Sequence, residues 1–326
     1  MRSSTSTCAW KFAVLAFTGL IFATSAAAQT WPTRPIRLVV GYPAGSTPDG
    51  AARAIAEPLS KALGKPVIVD NKPGASGIIA TDQVAKATDD HTLGIVINGN
   101  LTSARMLFPN LPYNPARDFT YLTMVGTAPL VLIARSDAPD GKGFIDAARA
   151  SGDKWSYGSV GTGSMAQLGM ELLKSLVPGF AAVHVPYPGN PQVVTAVLGK
   201  EIETALVPPG VALPQIKAGK LKAIGLTSGR STLAPDVPPL ADSGVKNFQI
   251  EVWSALVGPA RLSHAAQERL TTALTVVLQD ARVRQQLFNQ GWQAPASASG
   301  SALEARVQQE MKIMQDIIGK AGIKAE

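Results

Sequence analysis

Short apolar runs typical of β-strands alternate with helix-type segments along most of the chain, and this alternation restricts the possible folds more than any other feature. The strand-type runs are IRLVVGY (36–42), PVIVD (66–70), TLGIVIN (92–98), YLTMVG (121–126), PLVLIAR (129–135), AVHVPY (182–187), EIETALV (201–207) and LKAIGLT (221–227). The helical candidates between them are 48–63, 76–86, 164–176 and 190–199. Strands and helices in alternation predict α/β layers with mostly parallel sheets, because parallel neighbours need a long crossover between them.

The chain ends in a different pattern, in which apolar residues recur at a spacing of three to four. They are Leu270, Leu274, Val277 and Leu278, and then Leu303, Val307, Met311, Met314 and Ile318. This spacing predicts two amphipathic helices at the end of the protein. The 326 residues exceed one small core and indicate two lobes, since a domain holds about 150 residues on average.

The amino terminus has the composition of a secretory leader. Arg2 and Lys11 flank its start, and the apolar run 12–23 is too short to span a bilayer. Small residues at 26–28 offer a cleavage site. The single cysteine, Cys8, precedes the apolar run, whereas a lipoprotein cysteine would follow it. We therefore expect an exported chain, cut after Ala28, without disulfide or thiol chemistry.

Several classes of function are disfavoured by composition and motif. The net charge is +7, but its basic residues are scattered, without the runs and interleaved aromatics of a nucleic-acid surface. The histidines are His91, His184 and His264, and neither a Cys pair nor an H-E-x-x-H motif accompanies them. We expect no metal, no cofactor and no nucleic-acid partner, while a mildly positive chain suits capture of a small anion.

Two stretches share one local plan, a strand followed by a turn of small residues and then a helix. They are IRLVVGYPAGSTPDGAARAIAEPL (36–59) and KWSYGSVGTGSMAQLGMELLKSL (154–176). The first amides of a helix have no internal partner and attract anions. If the two turns lie on different lobes, they can hold an anion across a cleft. The alternative, that each turn only begins a helix, remains open.

The chain also resembles a known family over nearly all of its length. The segments that carry the resemblance are IRLVVGYPAGSTPD, VDNKPGASGIIATDQVAKA (69–87), LPYNPARDF (111–119), GSVGTGSMAQLG (158–169), HVPYPG (184–189), LPQIKAGKLKAIGLTS (213–228) and W-x-x-L-V-G-P (253–259). They are similar to the Bug, or TctC-like, periplasmic substrate-binding proteins of tripartite tricarboxylate transporters. The resemblance implies a periplasmic, type II-like binding protein that holds a carboxylate in its cleft without chemistry. Its partners would be the membrane components of the transporter.

The resemblance also suggests how the chain divides. We expect one lobe to comprise residues 29–127 and 255–326, because the terminal helices need a large sheet to cover, and the other to comprise 128–254. The two chain crossings, near 126–129 and 253–256, are the hinge candidates. We expect a monomer.

Matching motifs place the candidate ligand-binding residues. The family's first turn reads P-G-G-G-T-D, where this chain has Ala44-Gly45-Ser46-Thr47-Pro48-Asp49. Thr47 is expected to cap the following helix, with Pro48 at its first position. In the second turn, Ser164-x-x-Gln167 forms a capping box that would leave the preceding amides and the Thr162 hydroxyl for a ligand. The candidates are Tyr42, Ala44, Gly45, Ser46, Thr47, Asp49, Asn100, Gly161, Thr162, Gly163, Ser164, Gln167, Val207 and Pro208.

The ligand class follows from a departure from the family. Many relatives carry Asp-Asn after the strand 201–207, where this chain has Val207 and Pro208, neither of which has a side chain that can hydrogen-bond. Tyr42 adds an aromatic face. A hydroxyl-rich or ammonium-bearing ligand would leave polar groups unpaired here. We therefore expect an aromatic or aliphatic mono- or dicarboxylate rather than citrate or an amino acid.

Other functions stay possible to different degrees. Gly161-x-Gly163-x-x-Ala166 resembles a dinucleotide fingerprint, but that motif needs an acidic residue about 20 positions later, where this chain reads FAAVH (180–184). A secreted hydrolase or esterase with Ser164 as nucleophile requires a histidine within hydrogen-bonding reach. A ligand sensor that signals to a membrane protein would need the same binding site as a transport receptor.

The leader hypothesis makes a direct prediction. The exported protein should begin at Gln29, because small residues at positions 26 and 28 favour cleavage after Ala28. Intact-mass spectrometry of the secreted form measures this. A retained leader or a lipid adduct would contradict it.

Overall fold

The computed structural model describes residues 31–296 and 299–323. The expected leader, 1–28, and its cleavage site after Ala28 lie outside these residues. The strands are β1 (Ile36–Val40), β2 (Val67–Asn71), β3 (Thr92–Ile97), β4 (Phe119–Pro129), β5 (Val131–Arg135), β6 (Ser156–Ser159), β7 (Val183–Pro186), β8 (Thr204–Val207), β9 (Leu221–Leu226) and β10 (Glu251–Pro259). The helices are α1 (Thr47–Leu63), α2 (Ile78–Ala85), α3 (Asn98–Leu101), α4 (Ala104–Leu107), α5 (Gly141–Ser151), α6 (Met165–Leu176), α7 (Asn190–Leu198), α8 (Pro209–Lys217), α9 (His264–Gln279), α10 (Ala281–Asn289) and α11 (Gly300–Ala321).

The strands form two five-stranded sheets, each of which is the centre of one lobe. Their orders are β2-β1-β3-β10-β4 and β7-β6-β8-β5-β9. The expected two-lobed α/β fold is confirmed. The sheets are mixed, however, where mostly parallel sheets were expected: within the described residues, each sheet has two parallel and two antiparallel pairs of neighbours.

The mixed character has a simple origin in the chain path. In each sheet four strands run in one direction and a single strand, β10 or β5, runs in the other. Each reversed strand is the one that follows a crossing from the other lobe: β5 follows β4, and β10 follows β9. The other four strands of each sheet run in one direction, so their carboxyl ends share one edge of that sheet.

Several secondary-structure elements were not predicted from the sequence patterns. β10 was not expected to be a strand, because its residues from Val252 onward are buried without polar alternation. The helices α5 and α8 were also missed. Three helices rather than two close the protein, because Asp280 ends α9 and caps α10, where its carboxylate accepts hydrogen bonds from the amides of Arg282 (2.7 Å) and Val283 (3.3 Å).

The two chain crossings are tied together by one buried threonine. The Leu130 amide donates to Thr227 Oγ1 (2.9 Å), and the Thr227 amide donates to the Leu130 carbonyl (2.9 Å). Thr227 Oγ1 also donates to the Ile250 carbonyl (2.6 Å). The two segments that pass between lobes are therefore coupled. The expected lobe boundaries at 127/128 and 254/255 lie within β4 and β10, and they stay a prediction.

A buried carboxylate on α11 hydrogen-bonds to residues of the first sheet near the start of β10. Glu310 accepts hydrogen bonds from Asn98 Nδ2 (2.7 Å), Trp253 Nε1 (2.6 Å) and Arg306 Nε (3.3 Å). Asn98 Nδ2 also donates to the carbonyl of Glu251 (3.1 Å). Burial raises the pKa of the Glu310 carboxyl, although its hydrogen-bond partners act in the opposite direction. The C-terminal helix is thus joined to the end of β3 and the start of β10.

This arrangement predicts a large loss of stability in Glu310→Ala. The substitution leaves the buried Trp253 Nε1 without an acceptor, at a cost of about 1–3 kcal/mol, and it removes one of the two acceptors of Asn98 Nδ2. Thermal unfolding should show a clearly lower midpoint than in the wild-type protein. Glu304→Ala, at an exposed position of the same helix, is the control and should leave the midpoint nearly unchanged. Equal midpoints for both variants would contradict this account of Glu310.

Candidate functional site

Two adjoining cavities lie in the cleft where the two lobes meet. The space between protein atoms amounts to about 440 Å³ in the first and about 210 Å³ in the second, with the solvent at their mouths included. Tyr42, Ile97 and Ser164 line both. The other residues of the first cavity are Ser46, Thr47, Pro48, Leu130, Val160, Met165, Ala166, Asn190, Pro208, Val252 and Trp292. Those of the second are Ser76, Ile78, Gly99, Asn100, Ala104, Phe108, Thr162 and Gly163.

The first turn, Ala44–Asp49, brings the start of α1 to the first cavity. Gly45 has φ +78°, which an L side chain rarely adopts, and it allows the sharp reversal after β1. Ser46, rather than the expected Thr47, is the N-cap, because the first helical hydrogen bond runs from the Gly50 amide to the Ser46 carbonyl (3.0 Å). Pro48 therefore occupies the second helical position, where a missing amide leaves no helical hydrogen bond unmade.

Asp49 holds this turn in shape. Its carboxylate accepts hydrogen bonds from the Gly45 amide, Arg53 Nε and Asn71 Nδ2, each at 2.9 Å. Burial opposes the charged form, but these donors outweigh it and lower the pKa of Asp49. Of the candidate residues in the turn, Ala44, Gly45 and Asp49 line neither cavity, whereas Ser46 and Thr47 line the first. The carboxylate thus supports the site from behind.

Hydrogen-bond donors without a protein partner remain at the start of α1. The Ser46 side chain is 2% exposed, and its Oγ has no hydrogen-bond partner among the described residues. The Thr47 amide is the first of the helix, so it has no acceptor within α1. Thr47 Oγ1 accepts from Asn190 Nδ2 (3.1 Å). Both residues line the first cavity, so a hydroxyl and an amide without a described protein acceptor lie at its wall.

The second turn, Gly161–Ser164, directs α6 toward the same cavity. Half of the expected capping box is present, because Ser164 Oγ accepts from the Gln167 amide (3.4 Å). Gln167 Oε1 accepts from the Gly163 amide (2.7 Å) rather than from the Ser164 amide, which donates to the Gly161 carbonyl (3.2 Å). The Gly161 amide donates to Ser159 Oγ (3.1 Å). The amides of Gly161 and Gly163, which were expected to serve a ligand, are therefore used within the protein.

The donors that α6 offers lie one step further along the chain. Met165 and Ala166 are its first two residues, their amides have no acceptor within the helix, and both residues line the first cavity. The N-termini of α1 from one lobe and α6 from the other consequently meet at one cavity, and Asn190, the first residue of α7, lines it as well. The partial positive charge at each N-terminus favours an anion between them. Neither lysine nor arginine lines this cavity in the part of the chain that the structure describes.

The second cavity is bounded by a loop that two candidate residues hold in place. Tyr42 Oη and Asn100 Nδ2 both donate to the Ser76 carbonyl at 2.9 Å. Ser76 has φ +54°, a left-handed conformation that costs free energy and needs such support. Burial raises the pKa of Tyr42, so the phenol remains a donor at physiological pH. Tyr42 and Asn100 thus line the site while their donors serve the loop.

The structure brings together some of the candidate residues and leaves others outside. Those that line a cavity are Tyr42, Ser46, Thr47, Asn100, Thr162, Gly163, Ser164 and Pro208. Those that line neither are Ala44, Gly45, Asp49, Gly161, Gln167 and Val207. Sequence reasoning missed Leu130, Val252 and Trp292, which come from the crossings and from the segment after α10. Met165 and Ala166 could have been found as the residues that follow a helix N-cap.

Direct contacts across the cleft show that the lobes are closed. Ser103 Oγ donates to the Gly163 carbonyl (2.5 Å), and Asn190 Nδ2 bonds Thr47 Oγ1 from the opposite lobe. Gly161 has φ +110°, and a Cβ atom there would collide with Ser76 Oγ. A glycine is required at this point because the two lobes approach so closely.

A hydrolase built on Ser164 gains no support from this geometry. Ser164 Oγ serves as a helix cap that accepts from the Gln167 amide. His184 Nε2 lies 2.7 Å from the Oγ of a different serine, the buried Ser159, and its ring stacks on Tyr157. Residues 31–296 and 299–323 contain no group of three potential metal-binding side chains.

Comparison with known proteins agrees with the fold and the site. Residues 51–323 match the family model of the tripartite tricarboxylate transporter family receptor, TctC. The chain belongs to this family. A UPF0065 protein of Bordetella pertussis is 34% identical over 311 residues, which cover 94% of this chain and 95% of that protein. No helix among the described residues has the length and apolar character needed to cross a bilayer.

Solved structures give the same result for this TctC-family receptor. The periplasmic binding protein BugD is 29% identical, with a TM-score of 0.85, over 91% of this chain and all of that one (100%). MatC from Rhodopseudomonas palustris with bound malate is 28% identical, with a TM-score of 0.83, over 88% of this chain and 100% of that one. R. palustris Rpa4515 with adipate is 27% identical, with a TM-score of 0.85, over 91% and 100%.

The interlobe hydrogen bonds predict that Ser103→Ala lowers the affinity for all ligands to the same extent. Ser103 lines neither cavity, so it does not contact the ligand. Its hydrogen bond to the Gly163 carbonyl joins the two lobes, so the substitution destabilises only the closed state. The loss of about 1 kcal/mol of free energy from the closed state should lower the affinity for every ligand by the same factor, roughly fivefold. Calorimetric titration with several ligands measures it.

The matched control is Ser175→Ala, since Ser175 is an exposed residue near the end of α6 and its hydroxyl donates only to the Leu172 carbonyl of the same helix. It should leave affinity unchanged. A Ser103→Ala effect that differs strongly between ligands, or no effect at all, would contradict a role in lobe closure.

Proposed function

We propose that this receptor captures a small aromatic or aliphatic mono- or dicarboxylate in the periplasm and delivers it to the membrane components of a tripartite tricarboxylate-type transporter. The protein acts as a monomer after its leader is removed near Ala28, and it leaves its ligand chemically intact. One observation carries the proposal: two helix N-termini with unpaired donors converge on a cavity whose remaining lining is largely hydrocarbon.

The donors at the cavity suit a carboxylate. Ser46 Oγ and the amides of Thr47, Met165 and Ala166 can be shared between the two oxygens of one carboxylate, and the partial charges of two helices stabilise its negative charge. Neutral donors and helix N-termini offset the charge without a counter-ion. The solved relatives with malate and adipate agree with a carboxylate as the ligand class.

The hydrocarbon lining favours an aromatic or aliphatic body. Leu130, Val252 and Trp292 are all buried, and Pro208 contributes a ring without a hydrogen-bond donor. A hydroxyl or ammonium group placed against this surface would lose its water without gaining a partner, at a cost of about 1–3 kcal/mol. Citrate and amino acids carry such groups, whereas benzoate-type and adipate-type acids do not.

Binding and closure are linked in this proposal. A carboxylate contacts α1 from one lobe and α6 from the other, so it binds the closed state better than an open one. The segments that pass between the lobes are joined at Thr227, which provides a short, hydrogen-bonded connection about which they can rotate. Closure then presents one surface to the membrane partner only when ligand is bound.

A thermal-shift screen against a carboxylate panel tests the proposed function. A ligand present at 100 times its dissociation constant stabilises the protein by about 2.7 kcal/mol. Benzoate-type or aliphatic acids should raise the unfolding midpoint more than citrate or aspartate. A panel without any stabilising carboxylate would contradict the proposal.

Ser46→Ala tests the site itself. Removal of a hydroxyl that donates to a carboxylate should weaken binding about tenfold to a hundredfold, because hydrogen bonds to charged groups contribute about 1.5–3 kcal/mol. Ser60→Ala is the control, since Ser60 lies at the opposite end of α1 and donates to the Lys65 carbonyl. Equal affinity in the two variants would remove the first turn from the binding site.

A further inference from the structure

Hydrogen-bond donors are distributed unevenly over the lining of the first cavity. Among the described residues, the donors without a protein acceptor lie mainly at the starts of α1 and α6, where they are Ser46 Oγ and the amides of Thr47, Met165 and Ala166. Asn190, the first residue of α7, adds its amide, and it lies on the same side of the cavity because its Nδ2 donates to Thr47 Oγ1. These groups suffice for the two oxygens of one carboxylate. The question is whether the rest of the lining could receive a second one.

In the hydrocarbon part of the lining, the hydrogen-bond donors of Trp292 and Leu130 are bonded to protein acceptors. Trp292 Nε1 donates to the Thr47 carbonyl (3.0 Å), and the Leu130 amide donates to Thr227 Oγ1 (2.9 Å). Pro208 has no amide hydrogen, and its carbonyl accepts from the Val211 amide (3.2 Å). The side chains of Ile97, Val160 and Val252 carry no polar atoms.

The second cavity also offers no cationic side chain among its described residues to neutralise a second carboxylate. Tyr42 Oη and Asn100 Nδ2 are both bound to the Ser76 carbonyl, and the Gly163 amide is bound to Gln167. Lysine and arginine are absent from the lining of both cavities, as far as the structure describes the chain. In either cavity, a second carboxylate would be withdrawn from water without a cationic side chain to neutralise it.

We propose that the ligand of this receptor carries a single carboxylate on a hydrocarbon body, and that the surface formed by Leu130, Pro208, Val252 and Trp292 excludes a second carboxylate. This inference rests on the proposed function, because it assumes that the first carboxylate binds between α1 and α6. It separates this chain from relatives whose structures contain malate or adipate, each of which has a carboxylate at both ends.

Matched pairs of acids test the inference by calorimetric titration. The pairs are the unbranched monoacids from butyrate to decanoate with their α,ω-diacids, and benzoate with terephthalate. In each pair that binds, the monoacid should bind at least tenfold more tightly. Equal or tighter binding of the diacids would overturn the single-carboxylate inference and leave the proposed function standing. If no acid of either kind binds, both the inference and the proposed function are overturned.

A variant pair locates the exclusion on the protein. Pro208 is the residue before α8 and has φ −62° and ψ 150°, a conformation that asparagine adopts readily as an N-cap. In Pro208→Asn the side-chain oxygen can cap α8 while Nδ2 remains a donor. The ratio of monoacid to diacid affinity should fall at least threefold relative to Pro208→Ala, which introduces the same backbone amide hydrogen but adds no side-chain donor. Equal ratios in the two variants would overturn the assignment of this surface as the barrier.

Discussion

The unpaired first amides of α1 and α6 are the constraint on which the rest of this structure depends. Helix formation leaves these amides without acceptors, and the direction of the strands decides where they lie. Because β1 and β6 run in the majority direction of their sheets, both helices that follow them begin at the edge that faces the cleft. Two lobes built on the same plan thereby place two anion-attracting ends opposite each other, without a cationic side chain among the described residues of the lining.

Polar groups around these helix starts are paired with each other, which restricts what a ligand can use. Asp49 saturates the Gly45 amide, Gln167 saturates the Gly163 amide, and Tyr42 with Asn100 holds the Ser76 carbonyl. Each of these side chains fixes a turn with positive φ at one of its residues. Rigid turns keep the few remaining donors in place before the ligand arrives, so less conformational entropy is lost when it binds. Specificity then depends on a small number of atoms.

Sequence patterns predicted those features that depend on neighbouring residues. The strand runs, the helices that follow the two turns and the pairing of Ser164 with Gln167 all follow from local spacing, and all are present. The direction of β5 and β10 could not be predicted in this way, because it results from the path between lobes. The use of the Gly161 and Gly163 amides within the protein, and the arrival of Leu130, Val252 and Trp292 at the cavity, depend on contacts between residues far apart in the chain.

The affinity for ligands in general and the preference for one ligand over another are controlled by different parts of this cleft. The hydrogen bonds from Ser103 to Gly163 and from Asn190 to Thr47 join the lobes directly, and each contributes a net free energy of about 0.5–1.5 kcal/mol. They raise the population of the closed state and so increase the affinity for any ligand that binds it. They cannot favour one ligand over another, because they are present with every ligand. Discrimination is left to the cavity lining, where the donors of two helix starts meet a hydrocarbon surface that has no further donor to give from Trp292, Leu130 or Pro208.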